Sequence, residues 1–464
     1  MDTIVFAGTL VTPAGSYRAD IGIRDGAIAL IGKDLTKAFP TAETIDATDK
    51  LIFPGGVDVH CHFPWPSAPQ PSTDDVRSGT RAAICGGVTS VLDFVVPDLG
   101  ESLLTALDRK LEEVNRGVFA DYSAHIAVRE ATPENLSQIP TLIEQGFVSF
   151  KVFMAYETFR LEDNDLLKVM RVVQDAGGML SVHAENGLLA DLVTRELVSR
   201  GEVSLDHYAE SRPAICEAEA INRIICYAEA LKVPIHIHHV STAAGARLIG
   251  HARRRGLAVS AETCPQYLMF TDDAYRAPDI KATYLVIAPP LRQEADRQHL
   301  WRALISDDLS VVATDHCPYS LQQKRNGVDD FTKTPGGTAG VETRWPILFS
   351  EGVVRGKLTQ ERLAAVWAYN PARLFGLYPR KGHLTVGADA DLVVVDPARE
   401  SVLSAGSLHM NTDYSAYEGK PVTGFPITTL LRGSVVVKDG IPDETPHGMV
   451  VTRTRPRRPS SRLT

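Results

Sequence analysis

His60, Cys61 and His62 close the run Gly-Val-Asp-Val-His-Cys-His. Read as a strand, period-two alternation puts Asp58, His60 and His62 on one face and turns Cys61 to the other. Polar groups aimed inward are costly unless paired or bound to metal, so the pattern points to a site. A single pair of strand histidines is equally a solvated or hydrogen-bonded face. Four later segments repeat the design: Lys151 in Ser-Phe-Lys-Val-Phe-Met, His183 in Leu-Ser-Val-His-Ala-Glu, His239 in Pro-Ile-His-Ile-His-His-Val-Ser, and Asp315 in Ser-Val-Val-Ala-Thr-Asp-His. Each of these residues ends a short apolar, β-branched run. The donor types together predict metal-dependent hydrolysis.

Opening an amide in neutral water takes a strong nucleophile, stabilisation of charge on the carbonyl oxygen, and a proton for the departing nitrogen. Two metal ions about 3.5–4 Å apart supply the first two by sharing a hydroxide and polarising the carbonyl. Imidazole and carboxylate ligands fit zinc first, with manganese, nickel or cobalt as alternatives. Lys151 joins such a set only in modified form, because an ammonium has no lone pair and repels cations. A carbamate, formed when the neutral amine captures carbon dioxide, can bridge two of them, and burial favours that neutral amine. The other reading of Lys151 is a salt-bridged lysine inside a barrel.

Alternating strand-like and helix-like segments position these residues. Strands are predicted near 57–62, 89–95, 121–128, 148–154, 179–184, 233–240, 257–263 and 309–315. Eight strands in βα order predict an α/β fold, a closed parallel (β/α)8 TIM-like barrel, whose strand C-terminal ends carry the chemistry. Every candidate ligand falls at such an end. Residues 1–52 read as short strands separated by Gly, Asp and Pro turns, and strand character returns after about residue 380. The expected organisation is a barrel over 53–380 beside a small β-sandwich built from 1–52 and 381–450.

At 464 residues and 44% hydrophobic content the chain can bury a large core. A net charge of −9 gives no reason to expect nucleic acid or an anionic membrane as partner. Arg453, Arg455, Arg457, Arg458 and Arg462 crowd the last stretch among prolines, and this tail, 451–464, is predicted to be flexible or draped on a neighbouring subunit. The start lacks a positive region followed by an apolar stretch of secretory length, and no window approaches a membrane span, so the expected location is cytoplasmic. Cys61, Cys85, Cys216, Cys226, Cys264 and Cys317 stand singly without a CxxC, which fits buried thiols in a reducing compartment.

The set His60-x-His62, Lys151, His183, His239 and Asp315 resembles the binuclear amidohydrolase superfamily. Phe150-Lys151-Val152-Phe153-Met154-Ala155-Tyr156, Ala288-Pro289-Pro290-Leu291-Arg292, Asp315-His316-Cys317-Pro318, Asp330-Phe331-Thr332-Lys333 and Asn411-Thr412-Asp413-Tyr414-Ser415-Ala416-Tyr417-Glu418-Gly419 narrow it to the dihydropyrimidinases and D-hydantoinases, over nearly the whole chain. The resemblance implies that His60, His62 and Asp315 hold one divalent cation, that His183 and His239 hold the other, and that carboxylated Lys151 bridges them. It implies that a bridging hydroxide attacks the ring carbonyl of a small cyclic amide or imide, giving an N-carbamoyl amino acid. It assigns Asp315 the proton transfer to the leaving nitrogen and Tyr156 the hydrogen bond to the developing oxyanion. It also implies assembly as a homotetramer or homodimer.

His236, His238 and His316 read as packing or as supports of the ligands, and Glu185 and Asp58 as groups that orient them. Ala288 and Gly336 stand where the resembled family often has serine and asparagine, at positions whose backbone groups bind the cyclic imide; main-chain donors survive such changes. Pro64 replaces the arginine that dihydroorotases use to hold a carboxylate, which argues against an acidic ring substituent. Phe63, Trp65, Phe153 and Phe159 are predicted to wall an apolar pocket. An allantoinase-like ureide hydrolase and a noncatalytic scaffold are the alternative functions.

Overall fold

The structure, a computed structural model, describes residues 1–66 and 70–455. Parallel strands Gly56–Asp58, Val88–Val95, Asp121–Ala127, Ser149–Phe153, Met179–His183, Ile235–Ile237, Val259–Thr263 and Val311–Val312 pair in chain order into one eight-stranded sheet. Their residues are buried throughout, as parallel strands covered on both faces must be. The sheet curls until its first and last strands meet, where the His62 N–H donates to the His316 carbonyl at 2.9 Å. Deeper along that seam, the buried Arg344 guanidinium donates to the Val57 and Val312 carbonyls at 3.1 and 2.9 Å. The Asp58 carboxylate accepts from the Thr314 hydroxyl at 2.7 Å and from the His60 N–H at 3.3 Å. Asp58 therefore joins the seam and anchors the backbone beneath His60. The result is the TIM-like barrel that the βα alternation predicts.

Local sequence explains the intervening helices. Asp75, Ser102, Thr132, Asn186 and Thr242 each accept from the N–H three residues on, satisfying an otherwise orphaned donor. In the helix Val76–Cys85, the buried Val76, Gly79, Thr80 and Ala83 follow the i, i+3, i+4, i+7 spacing of a core-facing stripe. Among the described residues no helix is long and apolar enough to cross a membrane.

Both chain ends share one seven-stranded sheet, in which Leu392–Val395 pairs antiparallel with Leu51–Pro54 in the register Leu392 to Pro54 and Val395 to Leu51. A four-stranded sheet containing Thr3–Phe6 and Asp20–Arg24 packs against it. Val5, Ile21 and Ile23 from one sheet meet Leu10, Ile52, Val394 and Leu430 from the other in a common core.

The start of the C-terminal tail departs from the flexibility expected of it. Val451 and Arg453 are buried, and Arg453 donates to the Ser149 hydroxyl at 2.9 Å and to the Ala124 carbonyl under the barrel. A guanidinium suits that place because it carries several donors for strand-end acceptors. The remaining arginines of the tail beyond Arg455 lie outside the described residues.

Lys381 fastens the barrel to the sheets beneath it. Its ammonium lies 2.5 Å from Asp121, 2.8 Å from Asp389 and 2.7 Å from Asp391, and Lys381 and Asp121 are almost fully buried. Lys381→Met removes the one cation that all three carboxylates share, leaving Asp121 to Arg432, Asp389 to Arg380 and Asp391 with none, and is expected to destabilise the protein by about 3–5 kcal/mol. Chemical denaturation checks this; an unchanged midpoint contradicts it.

Candidate active site

Strand ends bring the chemically capable residues to one mouth. His60 and His62 follow the first barrel strand, Lys151 lies in the fourth, His183 ends the fifth, His239 follows the sixth and Asp315 the eighth. The Nε2 atoms of His60 and His62 lie 3.0 and 3.1 Å from the same oxygen, Oδ1 of Asp315. Nδ1 of His183 lies 2.9 Å from Nε2 of His239.

The partners of the other ring nitrogens decide which atoms face the mouth as candidate ligands. His60 Nδ1 is bound to the buried Glu262 carboxylate, so once the ring gives up its second proton the lone pair stands at Nε2. His183 Nε2 donates to Glu185 at 2.7 Å, leaving its Nδ1 lone pair toward His239. Lone pairs directed at a carboxylate and at each other repel unless a proton or a cation lies between them. The donor set thus fits a pair of divalent cations, with carboxylates behind the histidines as such sites require.

Backbone strain helps to aim the side chains. Tyr156, His239 and Asp315 have φ of 67°, 37° and 51°, in the left-handed region that costs a non-glycine residue about 1–3 kcal/mol. Simple alternation sends His238 and His239 to opposite faces. The turn at His239 instead brings both rings beside His60, at centroid distances of 4.3 and 5.3 Å. His238 and His236 both bond to Glu262, at 2.8 and 3.0 Å, and therefore support the ligands. His316 points away to Asp74 at 2.9 Å, and Cys61 lies 3.8 Å from the Thr314 hydroxyl, away from the mouth.

Electrostatics follow the burial. Lys151 Nζ makes no hydrogen bond or ion pair among the described residues, and burial lowers its pKa to about 7. Burial works against a charged His60, yet Asp315 and Glu262 outweigh it and raise its pKa to about 9. Burial likewise opposes ionisation of Asp315, but His60 and the hydrogen bonds from His60 and His62 hold its carboxyl well below the usual range. Burial pushes the Tyr156 phenol up, keeping it a hydrogen-bond donor.

The described residues hold two further groups of possible ligands. One, His60 with His238 and Glu262, belongs to this mouth; the other, Cys85 with Glu342 and His409, lies elsewhere. The Glu342 oxygens are already bonded to the His409 ring and N–H at 2.8 and 2.6 Å.

Comparison with known proteins agrees with this geometry. A profile described as "Amidohydrolase family" matches residues 51–436. The chain belongs to the amidohydrolase family. It is 40% identical to a D-hydantoinase of Streptomyces coelicolor over 442 residues, 94% of each chain. A solved structure of a D-hydantoinase superposes with a TM-score of 0.95 at 38% identity, covering 98% of this chain and 99% of the other. The dihydropyrimidinase of Brevibacillus agri superposes with a TM-score of 0.96 at 36% identity, covering 99% of this chain and all of the other.

Beside the ligands, this amidohydrolase has a cavity of about 430 Å³ that also takes in Tyr156, Trp65, Phe153, Phe159, Ala288 and Gly336. Trp65 stacks on Phe159 at 5.2 Å between ring centroids, with Arg129 over the outer Phe159 face at 4.2 Å. Phe63 does not line the cavity. It is fully buried and packs on His316 and against Gly79, because alternation beside the inward His62 turns that side chain into the gap beside the helix Val76–Cys85. A Cβ on Gly336 would meet nothing within 4 Å, so the glycine leaves room where the resembled family often carries asparagine.

Two supports have no place in the motif reading. Glu262, in Val-Ser-Ala-Glu-Thr, is the one charged residue of its strand, a legible sign of an inward polar role. Arg212 grips Glu185 with two contacts of 3.1 and 2.6 Å from a loop whose sequence carries no such sign.

The raised His60 pKa fixes the sign of a pH dependence. Without metal the ring keeps a proton at neutral pH, and a cation entering there must displace it. Affinity for zinc at this position should rise from about pH 7 to about pH 9 and level off above, with proton release seen by titration calorimetry in buffers of different ionisation heat. Affinity independent of pH over that span contradicts the assignment.

Proposed function

We propose that this amidohydrolase opens a five- or six-membered cyclic amide or imide, of the hydantoin or dihydropyrimidine type, to an N-carbamoyl amino acid. The observation that carries the reading is the meeting of six ligand-type side chains, one of them a buried lysine without an anionic partner among the described residues, in a cavity of about 430 Å³. The match to D-hydantoinases along 94% of the chain supports it.

In this reading His60, His62 and Asp315 would hold one divalent cation and His183 and His239 the other, with Lys151, as N6-carboxylysine, a ligand to both. Zinc suits the donors first, with manganese, nickel or cobalt as alternatives. When bound, the cations supply an activated water and polarise the carbonyl. The chain does the rest. Asp315 accepts the proton of the attacking water on its carboxylate and delivers it to the ring nitrogen as the C–N bond breaks. Tyr156 donates its hydroxyl hydrogen to the carbonyl oxygen as charge gathers there. Main-chain groups at Ala288 and Gly336 hold the imide edge, while Trp65, Phe153 and Phe159 receive an apolar substituent.

Among the described residues that line the cavity, no guanidinium is left over for an acidic substituent. Arg212, the guanidinium lining the cavity, is committed to Glu185 through both contacts. Family resemblance further points to a homotetramer or homodimer, and six unpaired cysteines are consistent with a cytoplasmic setting.

Turnover of hydantoin, dihydrouracil, allantoin and dihydroorotate by zinc-loaded protein tests the assignment. Activity should appear on the first two, and Tyr156→Phe should lower kcat about 10²–10³-fold with metal content unchanged. Activity confined to dihydroorotate or allantoin refutes the substrate class.

A further inference from the structure

Lys324 is fully buried, has no carboxylate within ion-pair reach among the described residues, and does not itself line the cavity. Its ammonium donates to the carbonyls of Pro335 and Gly337, both at 2.8 Å, and to the carbonyl of Val286 at 3.4 Å. The aromatic ring of Tyr319 covers it at 5.6 Å. These acceptors belong to two separate segments, Val286 to Ala288 and Thr334 to Gly337, that together form one wall of the cavity. The segments touch directly at a single main-chain bond, Gly337 N–H to Val286 C=O at 2.9 Å.

We propose that Lys324 is a positioning residue for ring recognition, tying these two main-chain segments at a fixed separation from behind the wall. The inference rests on the reading above, in which main-chain groups at Ala288 and Gly336 grip the imide. A buried ammonium is an expensive way to fill space, since burial lowers its pKa to about 7 without a carboxylate to offset the cost. Three N–H donors on one flexible stem can join carbonyls from two strands of chain, which an apolar side chain of similar length cannot. Gly337, at φ 152° with the Cys317 carbonyl 2.4 Å from where a Cβ would stand, leaves this loop little freedom to re-seat if the tie is cut.

Lys324→Met keeps the volume and removes the donors. In the zinc-loaded enzyme it should raise KM for hydantoin and dihydrouracil about tenfold while kcat stays within about threefold. Hydrogen exchange in the segments 284–289 and 331–338, measured without substrate, should quicken while that of the barrel strands does not. If Lys324→Met fails to fold, Lys324→Gln, whose amide keeps two donors on a stem one bond too short to hold both segments, takes its place in both measurements with the same outcomes deciding. An unchanged KM overturns the proposal, and so does a loss confined to kcat, which would put the lysine on the chemistry instead of the wall. Wild-type protein inactive on both rings sinks the functional reading separately; the exchange rates then still decide whether Lys324 ties the segments.

Discussion

Ligand-type nitrogen and oxygen atoms crowded at one barrel mouth are the constraint from which the rest of this structure follows. Two imidazole nitrogens converge on a single Asp315 oxygen, and a second pair of ring nitrogens faces off 2.9 Å apart. A hydrogen or a cation must lie between each pair, because bare lone pairs so arranged repel. Ring N–H groups can serve in the free protein; in the proposed function a pair of divalent cations takes their place and activates water.

The surroundings serve that constraint. Glu262 and Glu185 fix which nitrogen of His60 and of His183 faces inward, and Arg212 holds Glu185 in turn. Left-handed backbone at Tyr156, His239 and Asp315 is local strain that the barrel, sealed at its seam by Arg344 and Asp58, is rigid enough to sustain. The Lys381 cluster and Arg453 close the opposite end of the barrel, so polar interactions hold both rims while apolar packing fills the layers outside.

Much of this was legible in the sequence because strand alternation and strand ends are periodic features. His60, His62, Lys151, His183 and Asp315 each follow a run whose period fixes their direction, and the βα rhythm gives the barrel. What stayed hidden depends on departures from period. His239 reaches the mouth only through a positive φ, whereas Phe63, next to the inward His62, lies away from the cavity on the side that alternation gives it. Arg212 caps a four-residue helix and Lys324 lies in a five-residue one, Leu321–Arg325, both too short for spacing to give a direction. Arg453 illustrates a further limit: a basic, proline-flanked tail has the composition of a flexible segment, yet one arginine finds buried acceptors under the barrel.

The account turns on carbon dioxide captured by Lys151, and carbon-13 NMR of zinc-loaded, active enzyme prepared in labelled bicarbonate tests it most directly. One carbamate resonance per chain is the predicted result, absent from Lys151→Met. Full metal occupancy and full activity with no such resonance would contradict it.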